Sequence, residues 1–219
     1  MKSRGKPAAP PEDVRRKLLD ALAASIAEKG YHDSTVADIV RIAKMSRRAF
    51  YKHFTSKQDC YVALLSRVNA DLIHHIETAV NRQSSWRDQV RQAVEAWLQA
   101  AQANPEITVS WIRDSPGLGE ARRRLQQDEL QRFQTLINNL LDNPHVRSEG
   151  IPSPSPHAAV VLVGGLRELI ATQVEHNLPV TDLADSAVAI TVAILSAPQP
   201  APAPSPSAHQ RRRNEPLHS

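Results

Sequence analysis

The sequence predicts an all-α protein of about nine helices, in which a small N-terminal three-helix unit precedes a larger helical domain. Three observations predict this. Apolar residues recur every three or four positions, as in Val14, Leu18, Leu22 and Ile26, which is the period of a helix with one buried face. The 16 prolines cluster near the two ends and in one internal loop, leaving the middle free for long helices. Charge also divides the chain. Residues 1–60 hold 13 Lys and Arg against 7 Asp and Glu, whereas residues 61–200 hold 11 against 15. Positive charge therefore collects on the small unit, as a phosphate-binding end requires, and the larger domain is mildly acidic.

Composition excludes several classes. A hydrophobic content of 41% is enough for a core, so wholesale disorder is excluded. No run approaches the ~20 apolar residues of a membrane span, and the polar start predicts no signal peptide. The single cysteine, Cys60, allows no internal disulfide, and a cytoplasmic location is expected.

Residues 1–11, M-K-S-R-G-K-P-A-A-P-P, read as a flexible basic arm. The first helix starts near Glu12, with Glu12 and Asp13 favouring its N-terminal dipole, and stops at Lys29-Gly30. Thr35 and Asp38 form a capping-box pattern ahead of a short helix whose apolar face is Val36, Ile39, Val40 and Ala43. Ser46 caps the next helix, which turns Arg47, Arg48, Tyr51, Lys52 and His53 outward. Phe50 and Phe54 lie four apart and share its inward face. A short helix with an apolar back and a cationic front suits the major groove of DNA. The competing reading is a solvated basic helix on an ordinary bundle.

The order of residues from Thr35 to Lys57 goes further. It resembles the DNA-binding domain of the TetR family of bacterial transcriptional regulators, with pattern T-V-x-x-I-A-x-x-A-G-V-S-x-x-x-[FL]-Y-x-[HY]-F-x-[SN]-K. Thr35, Val36, Ile39, Ala43, Ser46, Phe50, Tyr51, His53, Phe54, Ser56 and Lys57 fall in register with it. The resemblance is specific over roughly residues 12 to 65. Lys44 departs from it, standing where the family usually has a turn glycine, and a left-handed residue there costs ~1 kcal/mol when it is not glycine. Cys60 replaces the usual leucine, a milder change because free cysteine behaves as a small hydrophobe.

Beyond this head, Ser56 to Asp59 reads as another capping box opening a long helix with Tyr61, Leu64, Leu65, Val68, Leu72, Ile76 and Val80 as its stripe. Trp86 to Asn104 forms the next helix, and Asn104-Pro105-Glu106 restarts a short one, with asparagine as cap. A helix from about Leu118 to Leu141 carries Arg122-Arg123-Arg124, three cations expected in solvent. Residues 143–156, with P-S-P-S-P, read as a loop that packs poorly. Helices over about His157 to Asn177 and Thr181 to Ser196 close the fold, and adjacent Gly164 and Gly165 suggest close approach by another helix. Residues 198–219 read as a disordered Pro-rich tail.

These readings divide the chain into a helix-turn-helix DNA-binding domain over 12–57 and an effector-binding and dimerisation domain over 58–197. Arg47 and Arg48 are the candidates for base edges, because bidentate Arg–guanine contacts discriminate by ~1–3 kcal/mol. Thr35 can meet a phosphate from the start of its helix. Lys44, Ser46 and Lys52 complete the expected DNA surface. The resemblance adds Tyr51, His53 and Lys57 as phosphate contacts. It also implies a homodimer on a palindromic operator, acting as a repressor released by a small molecule, with a ligand cavity among the helices that follow the head. Trp97, Trp111 and Phe133 are the aromatic candidates for its wall. Few charges interrupt the stripes there, which favours a largely apolar, uncharged effector. The dimer is expected to form through the last two helices, along Val161, Gly164, Gly165, Leu169, Leu183, Ala187, Ile190 and Ile194. The sequence shows no catalytic motif, no metal-ligand spacing and no cofactor loop. A non-specific architectural DNA binder and a regulator without an effector are the alternatives.

Overall fold

Local caps set the boundaries of the N-terminal unit. The computed structural model describes residues 11–151, 154, 155 and 157–197. The basic arm lies outside them except for its last residue, as does the Pro-rich tail of 198–219. In α1 (Pro11–Asp33), Asp13 pairs with Arg16 at 2.9 Å and Lys17 at 2.7 Å, one helical turn away. Gly30 has φ 79° and ψ 167°, so the continuous helix breaks at the expected stop and one further turn carries Tyr31 and His32. Next come α2 (Val36–Ile42), α3 (Arg47–Tyr51) and the long α4 (Lys57–Ala79).

The larger part consists of α5 (Trp86–Ala103), α6 (Pro105–Arg113), a 3-10 turn (Ser115–Leu118), α7 (Glu120–Leu141) and α8 (Pro144–Ser148). It ends with α9 (Ala158–Glu175), a second 3-10 turn (Val180–Leu183) and α10 (Ala184–Ser196). The described residues thus hold ten α-helices and no strand, one helix more than expected. The addition is α8, in the stretch read as an unpacked loop. Its Val146 is buried in the larger core, and the loop is stapled by Trp86 N–H to Glu149 Oε1 at 3.0 Å and Asn143 Nδ2 to Arg82 O at 2.8 Å. No helix among the described residues is long and apolar enough to cross a membrane.

Other boundaries moved for local reasons. Pro105 opens α6 as expected, but the Asn104 side chain makes no capping bond. The α7 helix begins at Glu120 because Pro116-Gly117 make a 3-10 turn and Gly119 takes φ 57°. Asn177, at φ 55°, is the left-handed residue that stops α9. Asp59 caps back to Thr55 N–H at 2.8 Å, one residue upstream of the expected partner Ser56, whose Oγ accepts from Asp59 N–H at 3.1 Å.

Two apolar cores result. One joins the head to the body: Leu18, Leu22, Ile39, Phe50 and Phe54 pack with Tyr61, Leu64 and Leu65 of α4 and with Ile107 and Trp111 of α6. The other lies among α4, α5, α7, α9 and α10, around Val94, Trp97, Phe133, Leu166 and Leu195. Full burial of a phenylalanine such as Phe50 contributes ~1.5–3 kcal/mol. Cys60 is buried in the first core, and that burial pushes its thiol up to about 12, so it is an inert packing group.

Two outcomes follow from the head's local geometry. Lys44 has φ 54°, the left-handed conformation that the turn demands. Lys44→Gly is therefore expected to stabilise the protein by up to ~1 kcal/mol in urea unfolding; a lower midpoint would contradict the strain. Asp38 is held well below the usual carboxylate range, first by the Lys29 ammonium and then by the Thr35 hydroxyl. A depressed folded-state pKa contributes stability above the unfolded value and loses it in acid. The gap in midpoint between wild type and Asp38→Asn should be full at pH ~7 and close as the pH falls below the ordinary aspartate value near ~4.

Candidate nucleic-acid interface

The reading head is built from caps inward. Thr35 Oγ1 accepts from Asp38 N–H at 3.2 Å while Asp38 Oδ2 accepts from Thr35 N–H at 3.0 Å, and Lys29 Nζ reaches the same carboxylate at 2.7 Å. This ties the start of α2 to the end of the continuous part of α1. In the turn after α2, Met45 N–H donates to Val40 O at 2.8 Å, and Lys44 takes the left-handed position between them. Ser46 Oγ then accepts from Ala49 N–H at 3.1 Å and starts α3. Phe50 and Phe54 anchor the back of α3, with ring centroids 5.7 Å apart.

The front is cationic. Thr35, Lys44, Ser46, Arg47, Arg48, Tyr51 and Lys52 are exposed, and His53 is half-buried. Tyr51 is 56% exposed and stands edge-on to Phe50 at 5.3 Å, which supports an aromatic ring in solvent. Lys44, Arg47, Arg48 and Lys52 form no ion pair among the described residues. Most cations elsewhere do: Arg67 meets Asp20 at 2.8 Å, Arg91 meets Asp185 at 2.9 Å, and Arg113 meets both Glu168 and Glu175. Lys57 differs from the others in its group. Its ammonium donates to Tyr31 O at 2.9 Å, His32 O at 3.3 Å and Ser34 O at 2.9 Å, beneath the Tyr31 ring. Those three bonds take up an ammonium's donors, so Lys57 clasps α4 to the end of α1 and has none left for a phosphate. Both Thr35 groups are likewise engaged by Asp38.

The head is seated on the body through contacts that sequence patterns do not signal. Tyr31 stacks on Tyr61 with centroids 3.9 Å apart, Tyr61 Oη bonds Ser110 Oγ of α6 at 2.7 Å, and His32 Nε2 lies 3.4 Å from Asp114 Oδ1. Within the body, Trp97 and Phe133 stack at 4.7 Å and border a cavity of about 80 Å³. Trp97 also borders a second cavity, of about 350 Å³, between α4, α5, α6 and α9, and Trp111 lies on its wall. The three aromatic candidates are thus divided between two spaces.

The last two helices present an open apolar face. Val161 is 55% exposed and Ile190 47%, and Leu169, Gly164 and Gly165 are exposed beside them. A Cβ added at either glycine meets nothing within 4 Å. Leu183 and Ile194 are half-buried, and Ala187 is fully buried inside the chain, which takes it out of that face. The arginine run divides as well. Arg123 and Arg124 are exposed, as expected, whereas Arg122 turns inward to the buried Glu129 at 3.5 Å.

The family model for bacterial regulatory proteins of the tetR family matches residues 18–64. The chain is 34% identical over 88 residues to the HTH-type transcriptional activator FasR of Mycolicibacterium smegmatis, a match covering 40% of each chain. It is 26% identical over 168 residues to the HTH-type transcriptional regulator BetI of Agrobacterium fabrum, covering 76% of this chain and 79% of that one. Its fold is similar to the transcriptional regulator FadR of Bacillus subtilis, solved in complex with stearoyl-CoA. The TM-score there is 0.65 at 16% identity, over 81% of this chain and 97% of that one. The family and these relatives are transcriptional regulators, not enzymes. With its capped helix-turn-helix, its all-helical body and these matches, the chain is similar, over residues 18–64, to the bacterial regulatory proteins of the tetR family.

Proposed function

We propose that the protein is a sequence-specific transcriptional regulator that binds a palindromic operator as a homodimer and is released by a small molecule. The observation that carries this reading is the group of exposed, unpaired cations, Lys44, Arg47, Arg48 and Lys52, around the capped α3. Carboxylates neutralise most other cations of the described residues, so this surface is left to attract phosphate. Arg47 and Arg48, in the first turn of α3, are the base-reading pair. Ser46, Tyr51, Lys52 and His53 hold the backbone. Lys57 is assigned to the fold instead, because its donors are occupied.

A single head reads few base pairs, and pairing two heads gives the selectivity a genome demands. The face of Val161, Gly164, Gly165, Leu169 and Ile190 is the proposed seam with a second copy, where glycine permits close approach. The effector is assigned to the cavity between α4, α5, α6 and α9. Its lining residues Leu64, Ile107 and Trp111 also belong to the core that seats the head. A ligand there changes packing that both sites share, which is the requirement for coupling. The complex of FadR with stearoyl-CoA supports a largely apolar effector. Repression is the proposed sign of control, and a reporter carrying the operator measures it directly; FasR is named an activator.

The primary test is binding to DNA flanking the protein's own gene against scrambled DNA, across a salt series. A preference that persists at raised salt with two subunits per site supports the reading, and equal binding points to an architectural role. Arg48→Ala should lower operator affinity by ~1–3 kcal/mol while leaving non-specific binding nearly unchanged. Equal losses on both DNAs would remove Arg48 from the base-reading pair. Gly165→Arg should convert the dimer to a folded monomer in sedimentation, since the position is open within one chain. An unchanged mass would move the seam elsewhere.

A further inference from the structure

The second cavity carries chemistry that an uncharged effector does not use. Its inner wall holds Arg167 of α9, whose guanidinium lies over the Trp111 ring at 4.7 Å. Behind it, Glu129 of α7 is completely buried and faces two cations, Arg167 and Arg122, with Arg122 Nη1 at 3.5 Å from Glu129 Oε2. The side chains of Arg122 and Arg167 are only 16% and 15% exposed. Two guanidiniums on one carboxylate leave a net positive charge in a nearly dry site, and an unbalanced buried charge is costly. Burial and the neighbouring Arg122 lower Arg167 to about 9, so it remains protonated at neutral pH. On the same wall, Trp111 Nε1–H is buried and has no hydrogen-bond acceptor among the described residues. One carboxylate thus serves two guanidiniums, and the neighbouring indole N–H has no acceptor of its own.

The remaining walls define the rest of the ligand. Leu64, Val68, Leu72, Trp97 and Ile170 make an apolar body for the cavity. Its volume of about 350 Å³ falls in the range of small-molecule sites. Asp71 and His75 are exposed on α4 at its edge, and Arg67 there is matched by Asp20. The acidic Asp71 disfavours a second negative charge on the ligand. The smaller cavity beyond Trp97 has no charged residue in its lining, so the two spaces select different chemistries.

We infer that the effector is an amphipathic monocarboxylate, its anionic head set against Arg167 and Trp111 Nε1 and its apolar body enclosed by α4, α5 and α9. This rests on the effector reading proposed above and names its chemical class. The ligand neutralises the surplus charge of the Arg122–Glu129–Arg167 group, so binding links α6, α7 and α9 through one ion network.

The test uses the full-length protein, with octanoate and phenylpropionate as probes and their uncharged amides as controls. Binding is read by calorimetry and by tryptophan fluorescence. The carboxylates are expected to bind at least about tenfold more tightly than the amides, as a charge-assisted contact requires. Arg167→Gln should erase the preference. Because that change touches the buried network, Trp111→Phe serves as the second variant: it keeps the ring, removes the N–H, and should weaken the acids several-fold and the amides less, since an amide carbonyl is a neutral and weaker acceptor. Amides that bind as well as the acids and release operator DNA would overturn the anionic head while leaving the effector reading intact. Failure of every probe, with operator binding intact, would overturn both the anion site and this cavity's role. An acid preference that survives in both variants would overturn the assignment to Arg167 and Trp111.

Discussion

The first two turns of α4 are the constraint on which the rest of the structure depends. Cys60, Tyr61, Leu64 and Leu65 are buried on several sides at once, against α1, the aromatic anchors of α3 and the surface of α6. Tyr61 concentrates this role: its ring stacks on Tyr31 and its hydroxyl bonds Ser110. A buried hydroxyl needs a partner, so the bond specifies one seating of head on body. The small head therefore does not close a core of its own. Its core continues into α6, and the same α6 residues reach the larger cavity, which makes the cavity and the cationic front parts of one packed unit.

Charge is distributed by the same logic. On the body, Arg113 grips Glu168 and Glu175 and so ties α6 to α9, while Arg91 ties α5 to α10. Exposed pairs of this kind contribute little stability, but they neutralise much of the positive charge on the body's surface. At the head, carboxylates are used differently. Asp38 and Asp59 are engaged with capping backbone groups, so they cancel little of the charge on α3. The outcome is a cationic front beside a neutralised body. Inside the body, Arg122 and Arg167 share the single carboxylate of Glu129 and leave one surplus positive charge, in a place where polar groups carry a high cost unless matched.

The order of residues made the head legible because its determinants are local. A cap at Thr35 or Ser46 acts three residues away, Phe50 and Phe54 meet one turn apart, and the left-handed turn residue has to fall at Lys44 whatever packs around it. Helix periodicity likewise marked the stripes of α4, α5 and α7. The misplaced features were non-local. Val146 forms part of a helix because a distant core and the Trp86–Glu149 bond receive it, and nothing in P-H-V-R-S announces that. Lys57 fits a phosphate-binding pattern by position, yet three carbonyls at the end of α1 take its donors.

By itself the sequence determined the all-α class, the capped helix-turn-helix with its cationic front, and the order of long helices behind it. Each of these follows from interactions within one or two helical turns, or from charge counted along the chain. Only the tertiary structure decided that head and body share a core and that Ala187 turns inward. It alone decided that Arg122 leaves its exposed neighbours to join Glu129 and Arg167. Those outcomes depend on which faces of separate helices are brought together. A run of three arginines has the same local preference for solvent at each position, and the 100° step between successive helical residues, together with the neighbour waiting on one side, selects the one that is buried.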